Sequence, residues 1–228
     1  YLEMFKKVCF FTVFFFIILP SHSHIDHYKN LKKLEFDLFR NNKQIGTHVY
    51  VFNNDGKKLT VKSEINFLIK KLGVTLYTYH AKGTEVYNNG VLTKFNSKTN
   101  QNKKEKYVNM ELIEDNYKID GSSYKGDASK DYIIGTWWNH SIVNADAQIS
   151  AVSGRIIKQK VTFLGKKSIK IGEKTINALH FNFSSSDAKL DKKKRLNTDV
   201  WYEENTLNWV KARFEKQGTW EYRLRLAE

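Results

Sequence analysis

The sequence predicts an all-β protein, an antiparallel up-and-down meander of about eleven strands curled into a half barrel or barrel. Three observations point there. From Leu34 to Leu226 apolar residues recur with a period of two, the repeat of a strand whose side chains alternate between faces. Between the runs lie residues that reach positive φ at low cost, as tight hairpins require: Asn53-Asn54-Asp55-Gly56, Asn88-Asn89-Gly90, Asp120-Gly121, Gly165-Lys166-Lys167 and Gly218. Several runs are apolar or aromatic on both faces: His48, Tyr50 and Phe52 oppose Val49 and Val51, and Tyr77 and Tyr79 oppose Leu76. That suits a curled sheet whose concave side is covered by a lid or holds a ligand.

The elements follow in chain order. Leu34–Phe39 and Thr47–Phe52 open the meander. Leu59–Ile69 is the clearest strand, with Leu59, Val61, Ile65, Phe67 and Ile69 on one face and Lys58, Thr60, Lys62, Glu64, Asn66 and Lys70 on the other. Val74–Lys82, Val91–Asn96 and Tyr107–Ile113 continue it. Ser141 to Ser153, closed by Gly154, lacks strict alternation and has enough Ala and Ile for one short helix near 141–153. Arg155–Leu164, Ile176–Phe183, Asp199–Glu203 and Trp209–Phe214 follow. The last strand sets Trp220, Tyr222, Leu224 and Leu226 against Glu221, Arg223 and Arg225.

Ahead of the strands, residues 1–23 have the form of a secretory signal: Lys6 and Lys7, an apolar run from Val8 to Leu19, Pro20, and small residues at Ser21 and Ser23. Cleavage is expected after Ser23, leaving a tail over 24–30 and a single domain over 31–228. The alternatives are secretion from the cell or an uncleaved N-terminal anchor, although the apolar run is short of the roughly 20 residues of a spanning helix. The expected location is the periplasm of a Gram-negative bacterium. Cys9 is the sole cysteine and lies in the signal, so the exported chain has no disulfide, thiolate metal site or Cys nucleophile.

The chain of 228 residues has a formal charge of +14, and removing Lys6, Lys7 and Glu3 with the signal leaves +13. Only 6 of the 38 basic residues are Arg. Recognition of bases and phosphates leans on the planar Arg fork, so nucleic acid is excluded as a partner and an anionic membrane surface is retained. Hydrophobic residues at 41% supply a core, and a monomer is expected.

The residues that could form a site are few. His80 with Glu85 beyond Gly83 could work as an acid–base pair, or be a buried histidine held by a structural carboxylate. Trp138-Asn139 before the predicted helix, Trp201-Tyr202 in a short strand, and Tyr77, Tyr79 and His48 offer aromatic contact area with polar handles. The histidines lack metal-ligand spacing and no cofactor motif occurs, so neither metal nor cofactor is expected.

Ile45-Gly46-Thr47-His48, Tyr77-Thr78-Tyr79-His80 with Glu85, Trp138-Asn139 and Trp201-Tyr202 occur in the same order in a family of exported bacterial proteins, and over residues 31–226 the chain resembles this family, domain of unknown function 6134. Lys and Asn stand here where such proteins have Arg and Ala. The resemblance implies a periplasmic all-β domain, loosely similar to the half barrels that carry lipoproteins and lipids, and it implies no activity. The expected function is binding of a lipid, acyl chain or similar amphipathic ligand through His48, Tyr77, Tyr79, His80, Glu85, Trp138, Asn139, Trp201 and Tyr202. The alternatives are an enzyme using His80 and Glu85, or an envelope-surface interaction module.

Overall fold

The computed structural model describes residues 27–228. The signal expected over 1–23, with Cys9, and the first residues of the tail lie outside the described residues. The strands are β1 (Lys33–Arg40), β2 (Lys43–Asn54), β3 (Lys58–Lys71), β4 (Val74–Asn88), β5 (Val91–Gln101), β6 (Lys104–Ile113), β7 (Asn116–Gly121), β8 (Lys125–Ser129), β9 (Ile133–Ile134), β10 (Ala147–Ile149), β11 (Ile156–Ile171), β12 (Lys174–Ser185), β13 (Asn197–Glu203), β14 (Trp209–Glu215) and β15 (Thr219–Ala227). They form one sheet in the order β8-β7-β6-β5-β4-β3-β2-β1-β15-β14-β13-β12-β11-β10-β9. The first and last long strands therefore pair at its middle, while β8 and β9 remain as edges: a curled half barrel that does not close. Every neighbouring pair is antiparallel except β9 with β10.

Fifteen strands replace the eleven expected, and the four additions are β7 to β10. Each is six residues or shorter, too brief for a period of two to stand out, and β10 is buried at all three positions. The predicted helix near 141–153 is not formed. A 3-10 turn over His140–Asn144, capped by the Asn139 side chain accepting from the Ser141 amide, is followed directly by β10. Ile142, Ala147 and Ile149 of this segment are fully buried without lining one side of a helix.

The segment between β8 and β11 crosses the mouth left by the open edges and lies on the concave face as a lid. Its backbone carbonyls are tied to the sheet: Tyr50 Oη donates to Thr136 O (2.7 Å), Tyr202 Oη to Trp137 O (2.9 Å) and Ser97 Oγ to Ala151 O (2.6 Å). At Gly121 the lid approaches so closely that a Cβ would sit 2.6 Å from Ser153 O, which only glycine avoids. The main core is a cluster of concave-face and lid side chains, including Phe36, Tyr50, Phe95, Trp138, Tyr202 and Trp209, and a small second cluster holds Ala178, Trp201 and Val210. Tyr28 belongs to it as well, 1% exposed, donating to Leu207 O and accepting from the His140 amide. Tyr28, within the stretch read as tail, thus packs into the core beneath the lid.

Candidate functional site

The concave face has two parts. Beneath the lid, Trp138 is fully buried and meets Tyr28, Phe52 and Tyr87 edge-on, with ring centroids 5.1, 5.1 and 5.8 Å away. Its indole donates to Glu85 Oε1 (2.9 Å), and Tyr87 Oη donates to Glu85 Oε2 (2.5 Å). Burial pushes the Glu85 carboxyl above the usual carboxylate range, opposed by these hydrogen bonds. Glu85, Trp138, Asn139 and Tyr202 are thus all buried and together anchor the lid.

Beyond the lid the face is only half covered. A cavity of about 140 Å³ remains between lid and sheet, floored by Ile65, Ala81 and Phe95 and walled by Tyr79, Trp137, Trp209 and Tyr222. Among the buried polar atoms of its lining residues without a hydrogen-bond partner are two ring nitrogens, His48 Nδ1 and Trp137 Nε1. Burial lowers the His48 pKa to about 3, so the ring is neutral in ordinary buffers and presents one donor and one acceptor. The ring lies against Tyr50, 4.3 Å between centroids. Trp137 has φ +60°, a region that a bulky side chain seldom occupies, and it is held there by the bond from Tyr202 to its carbonyl and by edge contacts with Trp209 and Tyr222. Gly83 belongs to the same wall. It is the middle of strand β4, not a turn, and its missing side chain leaves room that a Cβ would take from Ser63 Oγ, 2.9 Å away.

From the cavity an aromatic strip continues along the open half of the face. Phe67 stacks on Tyr79 (4.8 Å) and Tyr77 (5.9 Å) and meets Trp220 edge-on (5.3 Å), and Trp220 stacks on Phe214 (5.8 Å). Gly46 explains the first motif of this region: a Cβ there would lie 2.5 Å from Phe67 Cβ, so glycine lets β2 pass close beside the strip.

The predicted site residues therefore divide. His48 and Tyr79 line the cavity and Tyr77 the strip; Glu85, Trp138, Asn139 and Tyr202 hold the lid. Two lie elsewhere. His80 is on the convex face, where its Nε2 meets Glu64 Oε1 across β3 (2.9 Å), and it makes no pair with Glu85. Five residues separate the two along one strand, and an odd separation puts side chains on opposite faces. An acid–base pair of His80 and Glu85 is thus not assembled. Trp201 is likewise on the convex side, stacked on His180 at 4.2 Å, while its neighbour Tyr202 faces the lid. Missing from the expected set were Trp137, Phe67, Trp209, Trp220 and Tyr222. The shared parity of Trp220 and Tyr222 was the signal available for two of them. Among the described residues no group of three or more His, Cys, Asp or Glu side chains could hold a metal ion.

The fold has a solved counterpart. A beta-barrel-like protein of domain of unknown function DUF1849 from Brucella abortus is similar at a TM-score of 0.61 with 10% identity, covering 87% of this chain and 97% of that one. A DUF1329 family protein from Desulfovibrio piger aligns at a TM-score of only 0.23, with 10% identity over 90% of this chain and 88% of that one, and supports no conclusion. No curated protein matches the sequence. A family model does, over residues 36–225, which include the lid, the cavity and the aromatic strip: the chain belongs to the family Domain of unknown function (DUF6134).

Proposed function

We propose that this domain is exported and binds an apolar or amphipathic molecule of the lipid or acyl-chain class on the open half of its concave face. The observation that supports this reading is the continuity of the half-exposed aromatic strip with a cavity whose wall holds unpartnered ring nitrogens, His48 Nδ1 and Trp137 Nε1. Size decides how a ligand would sit. About 140 Å³ is close to the roughly 150 Å³ that accepts one benzene and below the roughly 300–1,000 Å³ of pockets that enclose a whole drug-sized ligand. The ligand's end enters the cavity and the rest of its length lies along Phe67, Tyr77, Tyr79 and Trp220. An uncharged oxygen at that end, a carbonyl or hydroxyl, accepts from the Trp137 indole and pairs with neutral His48, whereas a carboxylate there loses its hydration to a mostly apolar wall.

The test is titration of the exported form, isolated without detergent, with dodecanol and with dodecanoate, followed by tryptophan fluorescence and native mass spectrometry. Saturable one-to-one binding is expected, tighter for the alcohol and weakened about ten-fold or more by Trp137→Ala. Absence of saturable binding to either probe, with no lipid retained through purification, overturns the reading. Export is supported by the signal-like residues 1–23 and is checked by fusing the first 40 residues to a phosphatase that is active only outside the cytoplasm.

A further inference from the structure

The hairpin of β3 and β4 continues past its ladders with both neighbouring strands. Pairing of β2 with β3 ends at Gly46 opposite Phe67, and pairing of β4 with β5 ends at Tyr79 opposite Gln101. Beyond those rungs the two strands pair only with each other, as a ribbon that turns at Leu72-Gly73. On one side the β1–β2 hairpin runs on past Gly46 to Lys43, beside Leu68, Ile69 and Lys70, and on the other β5 turns into β6 at Asn102-Lys103, so the end of the ribbon at Lys71 to Val74 is its least covered part.

The residue at that tip conflicts with local backbone chemistry. Other hairpin turns of this sheet place polar residues at the left-handed position: Asn41 (φ 49°), Asn89 (φ 47°), Asn102 (φ 52°), Glu114 (φ 55°) and Gln217 (φ 51°). The ribbon uses Leu72 at φ 50° and leaves it 95% exposed. Leucine there gains no packing and loses the local hydrogen bonding that makes Asn tolerant of positive φ. Leu68, Val74 and Leu76 are also exposed on the ribbon, at 42%, 61% and 53%. Lys70 and Lys71 precede the tip, both exposed, and no acidic residue occurs between Glu64 and Glu85. The neighbouring turns at the same end add exposed Lys43, Lys103 and Lys104. An apolar tip ringed by lysines complements a surface that is anionic outside and apolar a few ångströms in.

We infer that the β3–β4 ribbon docks the domain on an anionic phospholipid bilayer, with Leu72 passing the headgroups and Lys70 and Lys71 resting among them. The aromatic strip opens at the same rim, so docking would set the ligand site against the bilayer, but the inference stands on the ribbon alone and does not require the ligand reading.

The experiment is flotation of the exported form with vesicles of phosphatidylcholine alone and of phosphatidylcholine with 30% phosphatidylglycerol. Binding to the anionic vesicles that weakens with added salt is expected. Leu72→Asn suits the turn, so it is expected to keep or raise the melting temperature while weakening vesicle binding about ten-fold. Lys70→Gln with Lys71→Gln weakens it about twenty-five-fold, some five-fold per charge. Dodecanol titration of Leu72→Asn should be unchanged, which separates failure of docking from failure of the ligand reading. No flotation of the parent protein, equal binding to neutral vesicles, or wild-type flotation of folded Leu72→Asn would each overturn the inference. So would a parent dimer that Leu72→Asn converts to monomer, since the ribbon would then serve a second copy of the chain.

Discussion

The lidded and the open halves of the concave face are built from the same alternating strands, yet they differ in how completely their polar groups are satisfied. Under the lid, the carboxylate of Glu85 meets the Trp138 indole and the Tyr87 hydroxyl, and aromatic edges close on Trp138 from three sides. Beyond it, His48 and Trp137 have buried polar atoms with no partner, a tryptophan is held at positive φ, and the aromatic residues of the strip are half-exposed. The first half has the character of a core and the second that of a site, since unpaired polar atoms and backbone strain cost stability and persist where surrounding structure imposes them. The adjacent tryptophans Trp137 and Trp138 mark the border, one facing each half.

That contrast can be broken by substitution. The largest effect belongs to Trp138→Ala, which removes a fully buried indole and leaves Glu85 short of a donor; a loss of about 4 kcal/mol is expected in chemical denaturation. Trp137→Ala should lose well under half of that, because it relieves part of the backbone strain while giving up its packing, and its main effect is on ligand binding. Equal losses for the two tryptophans would erase the distinction between the halves.

Glu85→Gln sharpens the comparison through pH. The folded carboxyl titrates above its unfolded value, so the folded state retains a proton over a window in which the unfolded chain has released it. Stability from this group is therefore greatest below the unfolded value of about 4.3 and falls as pH rises toward the folded one. Gln does not titrate, so urea midpoints of the two proteins should converge at low pH and separate in favour of the Gln variant as pH rises through that window. Parallel curves would mean Glu85 is not held in a dry site. The smallest effect is expected for His80→Ala. Its contact with Glu64 is exposed to solvent, which screens it, so little stability should be lost, and dodecanol affinity should not change. A large loss of affinity would move the site to the convex face.

Much of the concave face was legible in the sequence because a strand's faces follow from parity alone. The alternation of Leu59 to Phe67 and of Trp220 to Leu224 identified residues that do share the inner surface, while a bulge after Leu224 sets Leu226 opposite Glu35 and breaks the pattern there. Parity also separates His80 from Glu85 and Trp201 from Tyr202. Gly83 obscured the first, since its turn-forming character suggested a chain reversal where β4 runs straight through. The short strands β7 to β10 and the lid were not legible, for their local preferences are weak and their conformation is set by the edges they cover.

Period-two patterning and the turn residues, read alone, determined the strand class, the meander and the two faces, because these depend on backbone geometry within a few residues. Only the tertiary structure decided that the half barrel stays open, that a lid covers one end, and that His48 meets Trp137 across a cavity while Glu85 meets Trp138 beneath it. Those contacts join residues 53 or more positions apart, and their distances depend on the curvature of the whole sheet and on the path of the lid, which no local pattern encodes.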